Sequence, residues 1–522
     1  MSENNPELVE TSTRQAPNPQ RIANKIHHNV YIQDILRQRA LGFKQRNIRF
    51  KDNFICKLYS SFDSVNYVTN SNPYYKYCGG IFNLEFSLDG KLLVAACEGK
   101  QILLYDASSH KQVKAVENSH ENCVNCIKFL DGKTFATGSD DHFIKLWDVR
   151  NLKSSFRTLH GHSNWVKNIE WSEQDQVMVT SAFDGSVYAW NLNDATENNM
   201  LFEKVFLMNG LMRMKLTPDG TKMIISTTIG YIIIIHNLNL LTLATDLRSF
   251  RPNLYRLMQA SEQCFPVATS YNYLFNPKRK RNRIEFIDDF PNEAEVISSL
   301  QIHPYGWCAV SRNLNEDETD EWTVVHDIQD RNEEDYSTAF STVEELDDEQ
   351  ETEDPPTQRP TDLWMGYISF DDYSNMNNFN QQIRQEIRIV NSELIGYNNS
   401  YTNPYFQNHP EEKNKIIQNL PRMTHFIKEK SVGKGFIKGL SFSSDGRIIC
   451  SPYDKGVRLL GFSENCEELS ECVPDKPQQL KTIVELNDYH RDTVLSCKFS
   501  PTNYQLVTGC LGSEIKWYQP VL

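Results

Sequence analysis

The sequence predicts an all-β protein, a seven-bladed β-propeller with an N-terminal helical arm and long loop insertions. Three observations predict this fold. Strand-like units recur along the chain, the two clearest units place aspartate and tryptophan at matched positions, and seven units can be distinguished. One four-stranded unit cannot bury both of its faces by itself, so the units are expected to stack radially around a common axis.

The clearest unit runs from His120 to Asp148. It contains short strands at Val124–Phe129 and Phe135–Ser139, and its third strand ends in Ile144-Lys145-Leu146-Trp147-Asp148. The next unit, from His162 to Trp190, repeats this order. A strand that ends in tryptophan and aspartate is typical of WD40 repeats, so the propeller is predicted to be of the WD40 type.

Five weaker copies complete the seven units. They span residues 80–106, 209–237, 296–327, 436–462 and 490–518. In the last copy, Trp517 is assigned to the position that tryptophan occupies in the two clear units. That copy has three strands, so its outer strand is expected to come from Phe54–Phe62. This strand would pair beside Glu514–Tyr518 and close the ring.

The two clear units also share a set of polar residues. In each, a histidine, a strand hydroxyl, the turn aspartate and the tryptophan are expected to form a buried hydrogen-bonded network. A histidine near an aspartate and a hydroxyl also suggests a catalytic triad. Repetition favours the structural role, because an enzyme rarely needs several copies of one site. The residues are His120, Thr137, Asp141 and Trp147, followed by His162, Thr180, Asp184 and Trp190.

Three stretches do not fit the repeat. Residues 1–51 form an N-terminal arm ahead of the propeller, which spans residues 52–522. Residues 246–293 form an insertion with the basic cluster Lys278–Arg283, and residues 329–430 form an acidic insertion that is expected to be disordered. The basic cluster suggests nuclear import or nucleic-acid contact, but a solvated loop is the preferred interpretation.

Composition narrows the function classes. The net charge of −14 argues against a general nucleic-acid binder, so no direct nucleic-acid contact is expected. The apolar run Ile224–Ile235 is too short for a membrane span and is interpreted as paired strands. Cys123 and Cys126 would point to opposite faces of one strand, so they are not expected to share a metal.

A soluble intracellular protein, nuclear or cytoplasmic, is therefore expected. The sequence contains no Gly-rich phosphate loop, no metal-ligand cluster and no nucleophile elbow. We therefore expect no cofactor, no metal and no catalytic site. The predicted role is the binding of other proteins.

One segment carries a more specific signal. Residues 135–150 read FATGSDDHFIKLWDVR and end in Trp147-Asp148-Val149-Arg150. This ending resembles the WDxR box of the cullin-4-associated factor family, whose members are substrate receptors. The resemblance implies that Asp148 and Arg150 bind the ligase adaptor, damaged-DNA-binding protein one. The following repeat ends in Trp190-Asn191-Leu192-Asn193 and lacks the arginine.

A second segment lies in the arm. Residues 32–42 read IQDILRQRALG, and Ile32, Ile35, Leu36 and Arg39 recur at helical spacing before Gly42, which suits a helix end. This segment resembles the short helix that many such receptors insert into the adaptor. The alternative is a helix that packs on its own propeller.

The resemblance extends over most of the chain. Residues 158–169, 432–462 and 498–511 are similar to one particular member of the same family. The family implies a substrate-recognition subunit of a cullin-4 RING ubiquitin ligase, which docks on the adaptor and presents a target protein of unknown identity. The alternative is a general WD40 scaffold for a protein assembly, without attachment to a ligase.

Overall fold

The fold is taken from a computed structural model, which describes residues 48–65, 78–192, 202–261, 263–331, 340–342, 415–432, 438–471, 474 and 476–521. The predicted arm helix at residues 32–41 lies outside these ranges. The described chain begins with helix α1 (Ile48–Ser60) and a short strand β1 (Phe62–Ser64). No helix among the described residues is long and apolar enough to cross a membrane.

The prediction of a seven-bladed propeller is confirmed. Within the described residues, seven sheets follow one another, each with at least four strands in antiparallel order. Strand β27 (Gln478–Gln479) adds to the fifth sheet in parallel with its outer strand.

From the centre outwards, blade 1 consists of β2 (Ile81–Phe86), β3 (Leu92–Cys97), β4 (Ile102–Asp106) and β5 (Gln112–Val116). Blade 2 consists of β6 (Val124–Phe129), β7 (Thr134–Ser139), β8 (Ile144–Asp148) and β9 (Arg157–Leu159). Blade 3 consists of β10 (Val166–Ser172), β11 (Val177–Ala182), β12 (Ser186–Asn191) and β13 (Phe202–Leu207).

The strands of blades 4 to 7 are β14 (Leu211–Leu216), β15 (Met223–Thr227), β16 (Ile232–His236) and β17 (Arg283–Ile287); β18 (Val296–Ile302), β19 (Cys308–Leu314), β20 (Asp320–Asp327) and β23 (Met423–Lys430); β24 (Ser441–Phe442), β25 (Ile448–Tyr453), β26 (Gly456–Gly461) and β28 (Lys481–Leu486); and β29 (Val494–Phe499), β30 (Leu506–Cys510), β31 (Ile515–Pro520) and β1.

Apolar side chains fill the spaces between neighbouring blades. Trp147 of blade 2 packs against Val94, Ile102 and Leu104 of blade 1, and Trp190 of blade 3 packs in the same way on blade 2. The apolar run at 224–235 forms the paired strands β15 and β16, as predicted, with Ile224 opposite Ile234. Each blade therefore needs its neighbour to complete its core.

In the last blade, the residue predicted for the tryptophan position is wrong. Tyr518 faces Leu506 across the blade, as Trp147 faces Phe135 in blade 2, so Tyr518 rather than Trp517 occupies the tryptophan position. Side chains alternate between the two faces of a strand, and Trp517 therefore packs on the opposite side, against blade 1.

The ring closes by strand pairing, but at a different place from the one predicted. Residues 54–60 belong to helix α1, and only β1 pairs with β31, with Phe62 opposite Pro520. The buried residues Ile55, Leu58, Tyr59 and Phe62 follow helical rather than strand spacing. Helix α1 therefore packs over blades 6 and 7, where the Tyr59 hydroxyl donates to Asp445 at 2.9 Å.

The basic-cluster insertion is more ordered than predicted, and both insertions have different bounds. Helices α2 (Leu240–Asp246), α3 (Pro252–Ser261) and α4 (Pro266–Thr269) join β16 to β17 in a packed cluster, in which Tyr255 stacks on Phe275. Residues 283–287 then form the outer strand of blade 4. In the acidic insertion, β21 (Phe340–Thr342) pairs with β22 (Lys415–Ile417). Residues 423–430, also assigned to that insertion, form the outer strand of blade 5.

Because neighbouring strands of a blade are antiparallel, the connections between successive strands lie alternately on two faces of the ring. The connections between first and second strands share one face with those between third and fourth strands. The described ends of the long connections 237–282, 328–422 and 462–480 therefore lie on the same face as the turn after β8 and helix α1. We call this the insertion face. The opposite face carries the turns between second and third strands.

We expect Phe62→Ala to lower the free energy of unfolding by about 3 kcal/mol, because a buried aromatic ring at the closing strand is lost. Phe62 is 3% exposed and contacts the rings of Tyr59 and Phe499. Urea unfolding measures the change. Phe156→Ala, at a ring that is 58% exposed, is the matched control and should shift stability by less than about 0.5 kcal/mol. Equal effects of both variants would contradict the closing role.

Candidate functional site

The polar residues of blade 2 form a continuous buried network. His120 Nδ1 donates to Asp141 Oδ2 at 2.8 Å, and His120 Nε2 lies 2.8 Å from Thr137 Oγ1. The indole nitrogen of Trp147 donates to the same Thr137 oxygen at 2.9 Å. Asp141 also accepts from the backbone nitrogen of Glu121. The network thereby links strands β7 and β8 and the turn between them to the segment that enters the blade.

Blade 3 repeats this network. His162 Nε2 lies 2.9 Å from Thr180 Oγ1, and Trp190 donates to that oxygen at 2.8 Å. His162 Nδ1 lies 3.3 Å from Asp184 Oδ2 and 3.1 Å from the Ser186 hydroxyl. In both blades the histidine is held on both ring nitrogens by its own repeat, which leaves neither nitrogen for a substrate. These geometries favour a structural role over catalysis.

The turn after β8 presents the predicted docking arginine. Arg150 is exposed, whereas Trp147 is buried three residues earlier. Asp148 holds the turn, because its carboxylate accepts from the backbone nitrogen of Arg150 at 2.9 Å and its carbonyl accepts from that of Asn151 at 2.9 Å. Val149 packs on the core between blades 1 and 2. The backbone of Arg150 is thus fixed while its guanidinium faces solvent on the insertion face.

Comparisons with known proteins decide the family. The model of the WD domain, G-beta repeat, matches residues 111–148, 153–191 and 480–519. A Xenopus tropicalis protein named DDB1- and CUL4-associated factor 10 is 35% identical over 517 residues, which cover 93% of this chain and 94% of that protein. The chain belongs to the DDB1- and CUL4-associated factor 10 family.

Further members agree with this assignment. The Danio rerio protein of that name is 35% identical over 90% of this chain and 80% of its own length. The Homo sapiens protein is 33% identical over 93% of this chain and 77% of its own length. The resemblance to the cullin-4-associated factors is therefore confirmed, and factor 10 is the member that residues 158–169, 432–462 and 498–511 resemble.

The basic cluster is partly neutralised in this family member. Arg279 and Arg281 both lie near the Asp246 carboxylate, at 3.2 and 3.3 Å, and Arg283 is buried 3.4 Å from Glu285. Lys278 and Lys280 remain exposed. Three of the five basic side chains therefore pair with carboxylates of the protein itself, which favours a structural use over both a solvated loop and a nucleic-acid site.

The ends of the acidic insertion take part in a buried network of charged residues, which no sequence motif predicted. Arg422, just before β23, donates to both carboxylate oxygens of Glu285 and to the carbonyl of Gln329. His236 lies 3.0 Å from both Glu285 and Asp330. Burial raises the pKa of Glu285, but the hydrogen bond from His236 and the charge of Arg422 outweigh it and lower the pKa well below its usual range. Both ends of the insertion are thereby attached to blade 4.

The blade 2 network makes stability depend on pH. Burial raises the pKa of Asp141, but hydrogen bonds from His120 and two backbone groups outweigh it, and the pKa is about 2. Because this lies below the unfolded value, the stabilisation is present above about pH 4 and is lost as the pH falls towards 2.

We expect Asp141→Asn to lower the free energy of unfolding by about 2 kcal/mol at pH 7. The difference from wild type should shrink by about 1 kcal/mol at pH 3, because Asp141 is then protonated in the unfolded state while it stays largely ionised in the folded one. Urea unfolding at the two pH values measures this. Asp317→Asn, at an exposed loop of blade 5, makes the same charge change and should have little effect at pH 7. A pH-independent difference for Asp141→Asn would show that the charge is not what stabilises the blade.

Proposed function

We propose that this chain is a substrate-recognition subunit of a cullin-4 RING ubiquitin ligase. Its relatives are named for association with DDB1, the damaged-DNA-binding protein one, and CUL4. The single observation that carries the proposal is Arg150, whose guanidinium faces solvent on a rigid turn at the end of a WDxR box. We propose that Arg150 contacts the adaptor, with Asp148 as its positioning residue.

The chemistry of arginine suits this role. A guanidinium presents a planar set of donors that match carboxylate and carbonyl oxygens of a partner. Arginine and large apolar residues also contribute disproportionately to binding energy at protein interfaces. A fixed backbone reduces the ordering cost of docking. The buried network of blade 2, which includes Asp141 and Trp147, holds β8 in position and therefore also the turn that follows it.

The arm supplies a second proposed contact. Helix α1 lies on the insertion face over blades 6 and 7, and blade 1 alone separates blade 7 from blade 2 in the ring. Helix α1 therefore shares a face with Arg150, with one blade between them in the ring. We propose that Ile32, Ile35, Leu36 and Arg39 bind the adaptor through a short helix in this arm.

The proposed mechanism is proximity rather than catalysis by this chain. One surface binds the adaptor and another binds the target, so the ligase brings its charged ubiquitin-conjugating enzyme close to a target lysine. Tethering raises the effective concentration of the reacting groups without new chemistry in the receptor. The protein is thus proposed to be a non-enzymatic, soluble component of a nuclear or cytoplasmic ligase.

We expect Arg150→Glu to weaken binding to purified DDB1 by roughly 30-fold, which corresponds to about 2 kcal/mol. The double variant Ile35→Asp, Leu36→Asp should have a similar effect through the arm. Isothermal titration calorimetry measures both, beside a thermal melt that verifies folding. Lys455→Glu is the control, because it makes the same charge reversal at an exposed turn on the opposite face.

Two outcomes separate the alternatives. If wild type binds DDB1 and both variants bind equally well, the docking residues are wrong. If wild type does not bind DDB1, the scaffold function without a ligase replaces the receptor function. Trp147→Ala does not distinguish these outcomes, because loss of a buried tryptophan would unfold the blade.

A further inference from the structure

Blade 7 contains an altered copy of the polar network. His490 and Thr508 are retained, with His490 Nε2 2.6 Å from Thr508 Oγ1. The aspartate that follows the threonine in blades 2 and 3, Asp141 and Asp184, is replaced by Gly512. No carboxylate from that position reaches the histidine.

The change leaves a buried nitrogen without a hydrogen bond. The His490 side chain is fully buried, and among the described residues its Nδ1 atom has no hydrogen-bond partner. A ring nitrogen of His490, the Cys510 sulfur and a carboxylate oxygen of Glu514 all lie within 4.8 Å of one another. Glu514 Oε2 is 4.0 Å from Nδ1, too far for a hydrogen bond.

The tautomer of His490 is set differently from that of the other two histidines. In blades 2 and 3, the acceptor-only aspartate requires a proton on Nδ1, and the indole of tryptophan donates to the threonine oxygen. In blade 7, Tyr518 replaces the tryptophan, and the Thr508 hydroxyl points to the Tyr518 oxygen 3.5 Å away. Thr508 Oγ1 can then accept from Nε2–H, and Nδ1 keeps its lone pair.

We propose that His490 Nδ1, Cys510 Sγ and Glu514 bind a Zn²⁺ ion. Nitrogen, sulfur and carboxylate oxygen are its usual protein ligands, and a histidine ligand commonly donates its other N–H to a fixed acceptor, as His490 does to Thr508. Tetrahedral zinc requires ligand atoms about 3.3 to 3.5 Å apart, so contraction by roughly 1 Å completes the site. The Cys510 thiol gives its proton to solvent on binding.

Gly512 lies beside the proposed ligands. A Cβ atom at this position would lie 3.2 Å from Asp492 Cβ, 3.6 Å from Cys510 Sγ and 3.9 Å from Asp492 Oδ2, so the glycine avoids a close contact between Asp492 and Cys510. Water or Asp492 supplies the fourth ligand. The other oxygen of Glu514 pairs with Arg491, whose side chain is 91% exposed. The ion joins the second strand of blade 7 to the segment that enters it, on the face opposite the insertion face.

The test uses the full chain with Co²⁺ as a spectroscopic substitute for Zn²⁺. We expect one equivalent of Co²⁺ to produce a thiolate-to-cobalt charge-transfer band, which Zn²⁺ then displaces. Cys510→Ser introduces the residue that blade 2 carries at the same position, Ser139, and should abolish the band. Cys264→Ser, at an exposed cysteine, is the control and should retain it.

A thermal melt with and without Zn²⁺ gives a second readout. Zn²⁺ should raise the melting temperature of wild type and of Cys264→Ser but not that of Cys510→Ser. Should Cys510→Ser fail to fold, Glu514→Gln decides, because loss of one ligand should weaken Co²⁺ binding by more than about tenfold. Absence of the band in wild type, or an unchanged band in Cys510→Ser, would overturn the site.

Discussion

The pairing of β1 with β31 is the contact on which the ring depends. A row of sheets has two ends with unpaired strand edges, and a closed ring removes them by giving the last blade an outer strand from the beginning of the chain. Because only three residues form this strand, helix α1 adds to the closure by packing Ile55 and Tyr59 over the joint between blades 6 and 7. Without the pairing of β1 with β31, the apolar cores between blade 7 and its two neighbours would be exposed to water.

The ring also divides the molecule into two unlike faces. Short turns cover one face, whereas three consecutive blades send long connections to the other. The buried pair of Arg422 and Glu285 joins the acidic connection to the neighbouring blade, so this connection is held at both ends. A buried ion pair is weak evidence for stability, because desolvation opposes the attraction, but it defines geometry. The described ends of the acidic connection are thus fixed on the face that also carries Arg150.

The sequence predicted those features that depend on short, repeated offsets. The networks around His120 and His162 were predictable because each repeat supplies all four residues. The outer strands 283–287 and 423–430 were not, because long segments separate them from their blades and only tertiary pairing identifies them. The closing strand was misplaced because apolar residues at helical spacing precede it. The blade 7 cluster has no metal-ligand spacing, and Gly512 becomes informative only after the repeats are aligned through Thr508.

Closure between distant parts of the chain has a consequence for biosynthesis. Asp63 of β1 accepts a hydrogen bond from Tyr489, which lies 426 residues later in the sequence. At translation rates of 5 to 20 residues per second, roughly 20 to 90 s separate the synthesis of these two residues. During that interval Phe62 and its strand have no native partner, and blade 1 lacks the neighbour that covers Ile81 and Leu84. The nascent chain therefore presents apolar surface for a long period, and such surface favours aggregation until the ring closes.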